Sequence, residues 1–404
     1  MDYTQMADCE QIADYKQMVQ ERVAELMPRL WELAGYIHKH PEYNYQEFKS
    51  SAAVADCLRH SGFEVEHGYC GLETAVRAVY DSGKPGLNLG FIGEYDAVPG
   101  MGHSCGHNLM TPIAIGAAWA LKPIVDARGG KVTVIGAPAE EGGGGKVVML
   151  ERGGFDGLDT AMLIHSASET VVNDISYSRT DVIADFYGKT AHAATWPEEG
   201  VSALTPVLEL FNIIQALRLE IADRGKILGI ITKGGDEPIL IPDHCQAKFT
   251  VRSFSMKYKW ELYHRLIDIC GNLAAITGTR FEHQIDGYTY EDIRNNEVLE
   301  GLLAANFQAL GEPVSPREKE LGIGCTDMGD VTHKVPGLQS YIKVVPNLRG
   351  HTKEFEDACG SLAGYRAIEV AAKALAMSGA DLLGDPEAIG RVRQAFREMK
   401  AKYE

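Results

Sequence analysis

The chain has 404 residues, more than one hydrophobic core usually supports, so two domains are expected. Hydrophobic residues make up 45% and charged residues 24%, which excludes the disordered and fibrous classes. A formal net charge of -17 gives no basic footprint, and this excludes nucleic acid and anionic membrane surfaces as partners.

The first residues, Met1 to Asp8, have neither a basic start nor an apolar core, so no secretory signal is expected. Eight cysteines are scattered without CxxC pairs, which is not a disulfide framework. Together these features predict a reduced, cytoplasmic protein. Residues 10–38 place Ile12, Tyr15, Val19, Val23, Leu26, Leu30 and Leu33 at helical spacing, and a second helix is predicted from Glu47 to His60, closing at Gly62. The short alternating stretches 63–69 and 74–80 read as strands. The apolar runs Leu87–Ile92 and Lys131–Ala137 read as buried strands, joined by a helix from about His107 to Asp126 that stops at Gly129-Gly130. The apolar stretch Leu109–Leu121 is stopped by Lys122, short of a membrane span. Strand, helix, strand at this spacing predicts a parallel α/β sheet, with Asp159–Ile164 a further strand ending in His165.

From about Ser178 the pattern changes. Strands at 181–187, 226–232, 244–254 and 279–286 alternate with helices at 199–219 and 256–277, the pattern of a small α+β domain with an antiparallel sheet. The expected organisation is an α/β catalytic domain, residues 1–177 and 292–404, interrupted by an inserted domain over 178–291. After Asp292 a strand at Leu338–Val344 and helices at 361–378 and 385–402 are predicted.

The chemistry concentrates after the predicted strands. Gly93 to Asn108 holds Asp96, Cys105 and His107 in a turn-rich loop, and the strand ending at Ala137 leads into Glu140 and Glu141. Adjacent carboxylates repel unless a cation neutralises one of them. Cys105, His107 and Glu141 offer sulfur, nitrogen and oxygen donors suited to a borderline-soft ion such as zinc, leaving Glu140 to take a proton from water. His165 stands at another strand end, where open α/β sheets bind ligands. The glycines before Lys146 do not make a phosphate loop. Glu140 stands where that motif needs glycine, and Val147 stands where it needs Ser or Thr.

Five ordered motifs resemble the di-metal amidohydrolase superfamily of aminoacylases, glutamate-releasing carboxypeptidases, hippurate hydrolases and indole-acetyl-amino-acid hydrolases. They are Gly93 to Asn108, Ala137 to Gly142, Gly188 to Ala194 with Pro197 and Gly200, Gly234-Gly235 with Ile241-Pro242-Asp243, and Cys325 to Asp330. The resemblance runs from about residue 20 to the C-terminus and is nearest to the aminoacylase-1-like protein 2 branch.

The resemblance implies a metal-dependent amidohydrolase or dipeptidase. It would cleave an N-acyl amino acid or dipeptide-like amide with a free carboxylate, using two divalent ions, zinc with manganese or cobalt as alternatives. It implies that Cys105, His107, Glu141, His165 and His351 hold the ions, with Cys105 bridging, that Glu140 is the general base, and that Asp96 orients a ligand. His192 resembles a histidine that stabilises the oxyanion in the partner subunit's site, which implies a homodimer through the inserted, ferredoxin-like lid and dimerisation domain. Arg252 resembles an arginine that grips a substrate carboxylate. Ile239 and Ser202 stand where many relatives have Asn, and Glu94 stands where the carboxypeptidase branch has a metal-binding His. A catalytically silent metal-binding or sensory protein on the same scaffold is the alternative.

Overall fold

Apolar runs without alternation predict strands covered on both faces. A computed structural model, which describes residues 3–317 and 323–403, shows how that cover is arranged. In chain order the strands are β1 (Glu64–His67), β2 (Val76–Asp81), β3 (Asn88–Glu94), β4 (Lys131–Ala137), β5 (Thr160–Ala167), β6 (Ser178–Tyr187), β7 (Gly225–Lys233), β8 (His244–Ser253), β9 (Arg280–Ile285) and β10 (Gly337–Lys343). The helices are α1 (Tyr3–Lys39), α2 (Phe48–His60), α3 (His107–Arg128), α4 (Gly145–Glu151), α5 (Leu204–Ile221), α6 (Met256–Thr277), α7 (Glu297–Ala309), α8 (Met328–Thr332), α9 (Lys353–Cys359), α10 (Leu362–Gly384) and α11 (Ala388–Tyr403). The chain divides into two units. The first is Met1–Ile175, Ile293–Gly322 and Asp327–Glu404, and the second is Ser176–Asp292 and Ile323–Thr326.

The sheet of the first unit has the order β1-β2-β4-β3-β5-β10. β4, β3, β5 and β10 run parallel, but β2 is antiparallel to both β4 and β1. The expected parallel sheet is therefore mixed. The turn between the short β1 and β2 reverses the chain without a crossover helix, and this sets the direction of that edge. Successive residues of β3 serve opposite cores: Phe91 packs with Leu109, Ile113, Leu121 and Val134, while Ile92 packs with Ile135, Ala137, Phe155 and Leu163. α3 lies on β3, β4 and β5 and packs against α1 and α10. Where it presses on β3 only glycine fits, since a Cβ on Gly93 would lie 2.4 Å from Thr111 Cα.

α3 is longer than expected and is long and apolar enough to cross a membrane, yet 83% of its most apolar stretch is buried in the protein. It continues past Lys122 because the lysine stem reaches out of the core, its Nζ bonding Ser61 O at 2.9 Å and lying 4.2 Å from the Tyr80 ring centre.

The second unit runs β6-α5-β7-β8-α6-β9 and forms an antiparallel sheet in the order β7-β8-β6-β9. β8 alternates as a half-buried strand should, with Cys245, Ala247, Phe249 and Val251 facing α5 and α6 in one core. The helix expected from residue 199 begins at Leu204, because Pro197–Glu199 forms a separate 3₁₀ turn.

Candidate metal centre

The ends of β3, β4, β5 and β10 and the segments that follow them build the site, all within the first unit. β3 ends in Glu94, and the loop after it carries Asp96 and Cys105 and delivers His107 as the first residue of α3. Gly106 makes that delivery sterically feasible: its φ is +81°, and a Cβ there would lie 2.0 Å from Ser166 Oγ. Asp96 then orients the ring. Nδ1 of His107 lies 3.0 Å from both the backbone oxygen and Oδ1 of Asp96, which places the Nδ1 proton there. Nε2 is left buried without a hydrogen bond, with Glu94 Oε2 at 3.3 Å and Glu140 Oε2 at 3.9 Å.

β4 ends at Ala137, and the next turn sets Ala139 in the left-handed region, with φ of 58°, before Glu140 and Glu141. The two carboxylates differ in environment. Burial pushes Glu140 well above the usual carboxylate range, reinforced by repulsion from Glu94 and Asp327. Burial also opposes charge on Glu141, but a hydrogen bond from His351 and the attraction of His107 outweigh it and hold Glu141 at about 2. Asp96 also grips this loop, its Oδ2 accepting the N–H of Glu141 at 2.8 Å.

His165 lies inside β5, which runs two residues further than expected. Its Nδ1 donates to Ser166 O at 2.7 Å and its Nε2 lies 3.5 Å from Cys105 Sγ. Burial and the neighbouring His107 lower its pKa to about 4, so the ring is neutral at pH 7, the form that binds a metal. His351, at a left-handed φ of 61°, is held through its N–H to Ser104 O at 2.8 Å and places Nε2 3.3 Å from Glu141 Oε1.

These donors fall into overlapping groups. Cys105, His107 and His165 could hold one ion and Cys105, Glu141 and His351 another, while Glu94, His107 and Glu140 form a third such group, the ligand atoms of each group lying within 4.8 Å of one another. In a tetrahedral sphere with bonds of about 2.0–2.3 Å, ligand atoms stand roughly 3.3–3.6 Å apart. The 3.5 Å between Cys105 and His165 and the 3.3 Å between Glu141 and His351 match that spacing. Burial raises the Cys105 thiol far above its usual range, so a thiolate here needs a neighbouring cation. The donor set, with the unpartnered His107 Nε2, fits divalent metal.

Three buried residues absent from the predicted site complete the cluster. Nζ of Lys146 bonds Glu94 Oε1 at 2.5 Å and Asp327 Oδ1 at 2.6 Å, and its backbone N–H bonds Asp327 Oδ2 at 2.8 Å. Burial opposes a charge on Lys146, but Asp327, Glu94 and Glu140 together raise its pKa, so it stays an ammonium. Burial opposes ionisation of Glu94 too, and Lys146 and His107 outweigh it. The signal in the sequence is a lysine that fits no phosphate loop, within reach of more carboxylates than a metal site alone uses.

His192, Ile239 and Arg252 belong to the second unit. Nδ1 of His192 accepts from Thr195 N at 3.2 Å, which leaves the ring proton on Nε2. The N–H of Ala193 bonds Ile239 O at 2.9 Å, so the exposed Ile239 flanks the His192 segment. Arg252 on β8 pairs across the sheet with Arg179 and Lys226, a row of three cations, and its Nε is buried without a hydrogen bond. An anion is already present in this row, since Asp181 accepts from Arg179 Nε at 3.0 Å and pairs with the same guanidinium through its second oxygen.

The model of peptidase family M20/M25/M40 matches residues 90–378. The Xaa-Arg dipeptidase of Mus musculus is 31% identical over 95% of this chain and 92% of its own length. One of the p-aminobenzoyl-glutamate hydrolase polypeptides of Escherichia coli (strain K12) is 31% identical over 70% of this chain and 63% of its own length. Among solved structures, a dinuclear metal binding peptidase of the M20 family from Bacillus subtilis superposes with a TM-score of 0.67 at 21% identity, covering 86% of this chain and 98% of that one. With the family model matching well over half its length, the chain belongs to peptidase family M20/M25/M40.

Proposed function

We propose that the chain is a di-zinc amidohydrolase that cleaves an N-acyl amino acid or dipeptide-like amide with a free carboxylate. The observation that carries this reading is that two donor triads share Cys105, with Glu140 beside them as a second, differently tuned carboxylate. The relatives' names, a dipeptidase and a hydrolase of p-aminobenzoyl-glutamate, denote amide cleavage, and the B. subtilis structure is named as dinuclear.

Two divalent ions held by Cys105, His107, Glu141, His165 and His351 would polarise the scissile carbonyl and acidify water. Glu140 takes the proton of the attacking water and hands it to the leaving amine, and the burial that raises its pKa strengthens it as a base. Asp96 keeps His107 in the tautomer that offers Nε2. His192 donates its Nε2–H to the oxyanion of the partner subunit's site. Arg252, whose Nε is buried without a hydrogen bond, is the residue proposed to recognise the substrate carboxylate with its planar fork, and the exposed Ile239 the one proposed to meet an apolar part of the substrate.

The second unit serves as a ferredoxin-like lid and dimerisation domain. Its edge strand β7 exposes Leu228, Ile230 and Ile231, an unpaired apolar edge suited to a second copy. A cytoplasmic location is consistent with the free thiols of Cys57, Cys70, Cys105, Cys245, Cys270, Cys325 and Cys359.

Hydrolysis of Ala-Arg, N-acetyl-Met and p-aminobenzoyl-Glu, assayed with zinc, manganese or cobalt, tests the reading. Release of the amine from at least one is expected. No release from a preparation holding two equivalents of metal would leave the silent metal-binding protein.

A further inference from the structure

We infer that Glu47 is a positioning residue for Glu140, holding the backbone kink that carries it; this rests on Glu140 being the general base. Glu47 is fully buried, and its carboxylate binds three donors. Oε1 accepts the N–H of Ala139 at 3.0 Å and of Tyr45 at 3.0 Å, and Oε2 accepts the Thr74 hydroxyl at 2.8 Å. Ala139 is the residue immediately before Glu140 and sits at φ of 58°, a conformation in which its Cβ is crowded. β4 has ended two residues earlier and Pro138 has no N–H, so the bond to Glu47 anchors the first N–H of the turn that bears the base.

The same turn grips the loop beyond Glu140. Asn44 Nδ2 donates to Glu141 O at 3.1 Å and the Tyr45 hydroxyl to Gly143 O at 2.6 Å, with Asn44 and Tyr45 themselves at φ of 20° and 63°. Three bonds therefore bracket Glu140 from one short segment. That segment is fixed in turn, because the Glu42 carboxylate accepts Lys49 N at 3.0 Å and Ser50 N at 2.8 Å at the start of α2, and Glu42 O accepts Ala97 N at 2.8 Å. Strained non-glycine backbone on both sides of one contact, beside the base, marks geometry maintained for position. A carboxylate suits the place because all three partners are donors. Glutamine serves nearly as well, since its oxygen can face the two N–H groups while Thr74 reverses to accept.

The experiment compares Glu47→Ala, Glu47→Asp and Glu47→Gln in the full, zinc-loaded chain, using whichever of Ala-Arg, N-acetyl-Met and p-aminobenzoyl-Glu the wild type cleaves fastest. Alanine should lower kcat roughly 10- to 100-fold with KM within threefold and metal content unchanged, the scale of misplacing a catalytic group by about 1 Å. Aspartate, which folds with its charge intact but falls one carbon short, should lower kcat about fivefold or more, and glutamine should stay within threefold of wild type. The crystal structure of Glu47→Asp should show Ala139 out of the left-handed region, and that of Glu47→Gln should not. The inference is overturned if aspartate matches wild type, if glutamine is as damaging as aspartate, if metal is lost in step with kcat, or if Ala139 keeps its conformation in Glu47→Asp. Glu140→Gln serves as the control: full activity there would remove the general-base reading itself, while the conformation of Ala139 still decides what Glu47 holds.

Discussion

Asp96 faces His107 with two acceptors, its backbone oxygen and Oδ1, each 3.0 Å from Nδ1, while its Oδ2 takes the N–H of Glu141 at 2.8 Å. One buried carboxylate thus fixes members of both donor triads. Asp96→Ala should lower zinc affinity about 10- to 100-fold while leaving the circular dichroism spectrum intact. Competition with a chromophoric chelator measures it, and wild-type affinity in the variant would deny Asp96 an orienting role.

The two adjacent glutamates should separate cleanly. Glu140→Gln is expected to keep its metal and lose about 10²- to 10⁴-fold in kcat, whereas Glu141→Gln is expected to lose metal. Elemental analysis beside steady-state kinetics reads both, and a nearly fully active Glu140→Gln chain contradicts the assignment.

Mixing inactive His192→Ala and Glu140→Ala subunits should restore part of the activity, because a heterodimer can contain one intact composite site. Mass measurement must show that heterodimers form. If they form without rescue, His192 does not act across subunits.

Lys146→Met should destabilise the chain by about 3–5 kcal/mol, since it strands Glu94 and Asp327 as buried anions without their partner. Denaturant unfolding of the metal-free protein measures this. A loss below about 1 kcal/mol would mean that the two acids take up protons at little cost.

Burial raises Glu300 from 4.5 to about 7. The folded state therefore holds this proton more tightly than the unfolded state, so the stability it contributes is complete below about pH 4.5 and lost as pH rises through about 7. Glu300→Gln should be more stable than wild type by about 1–2 kcal/mol at pH 8, allowing for screening of its exposed part, and equal to it near pH 4. Thermal melts across that range would show parallel curves if Glu300 titrated normally.

Much of the first unit's frame and of its metal-type cluster is legible in the sequence, for a physical reason. Cys105, His107, Glu141 and His165 each follow or end an apolar strand, and strand ends are where an α/β sheet gathers ligands. His351 also follows a strand, β10, but nothing in its local sequence marks it as a ligand. It joins the cluster through a left-handed backbone turn and a long-range bond to Ser104, and only the family resemblance points to it. α4 is hidden because glycines, poor helix formers, lead into it, and the direction of β2 is hidden because strand periodicity is the same either way up. Lys146 shows the limit most plainly: a lysine is visible in the text, but the two acids that make it buried stand about fifty residues upstream and about 180 downstream.

The sulfur of Cys105 is the donor that the two triads share, and in the proposed centre it would make damage uneven. Loss of His165 or His351 removes a corner from a single triad. Loss or oxidation of Cys105 removes a corner from both, so the two positions cannot fail independently through this atom. Substitution of Cys105 should therefore disturb both positions, and substitution of His165 or His351 one of them.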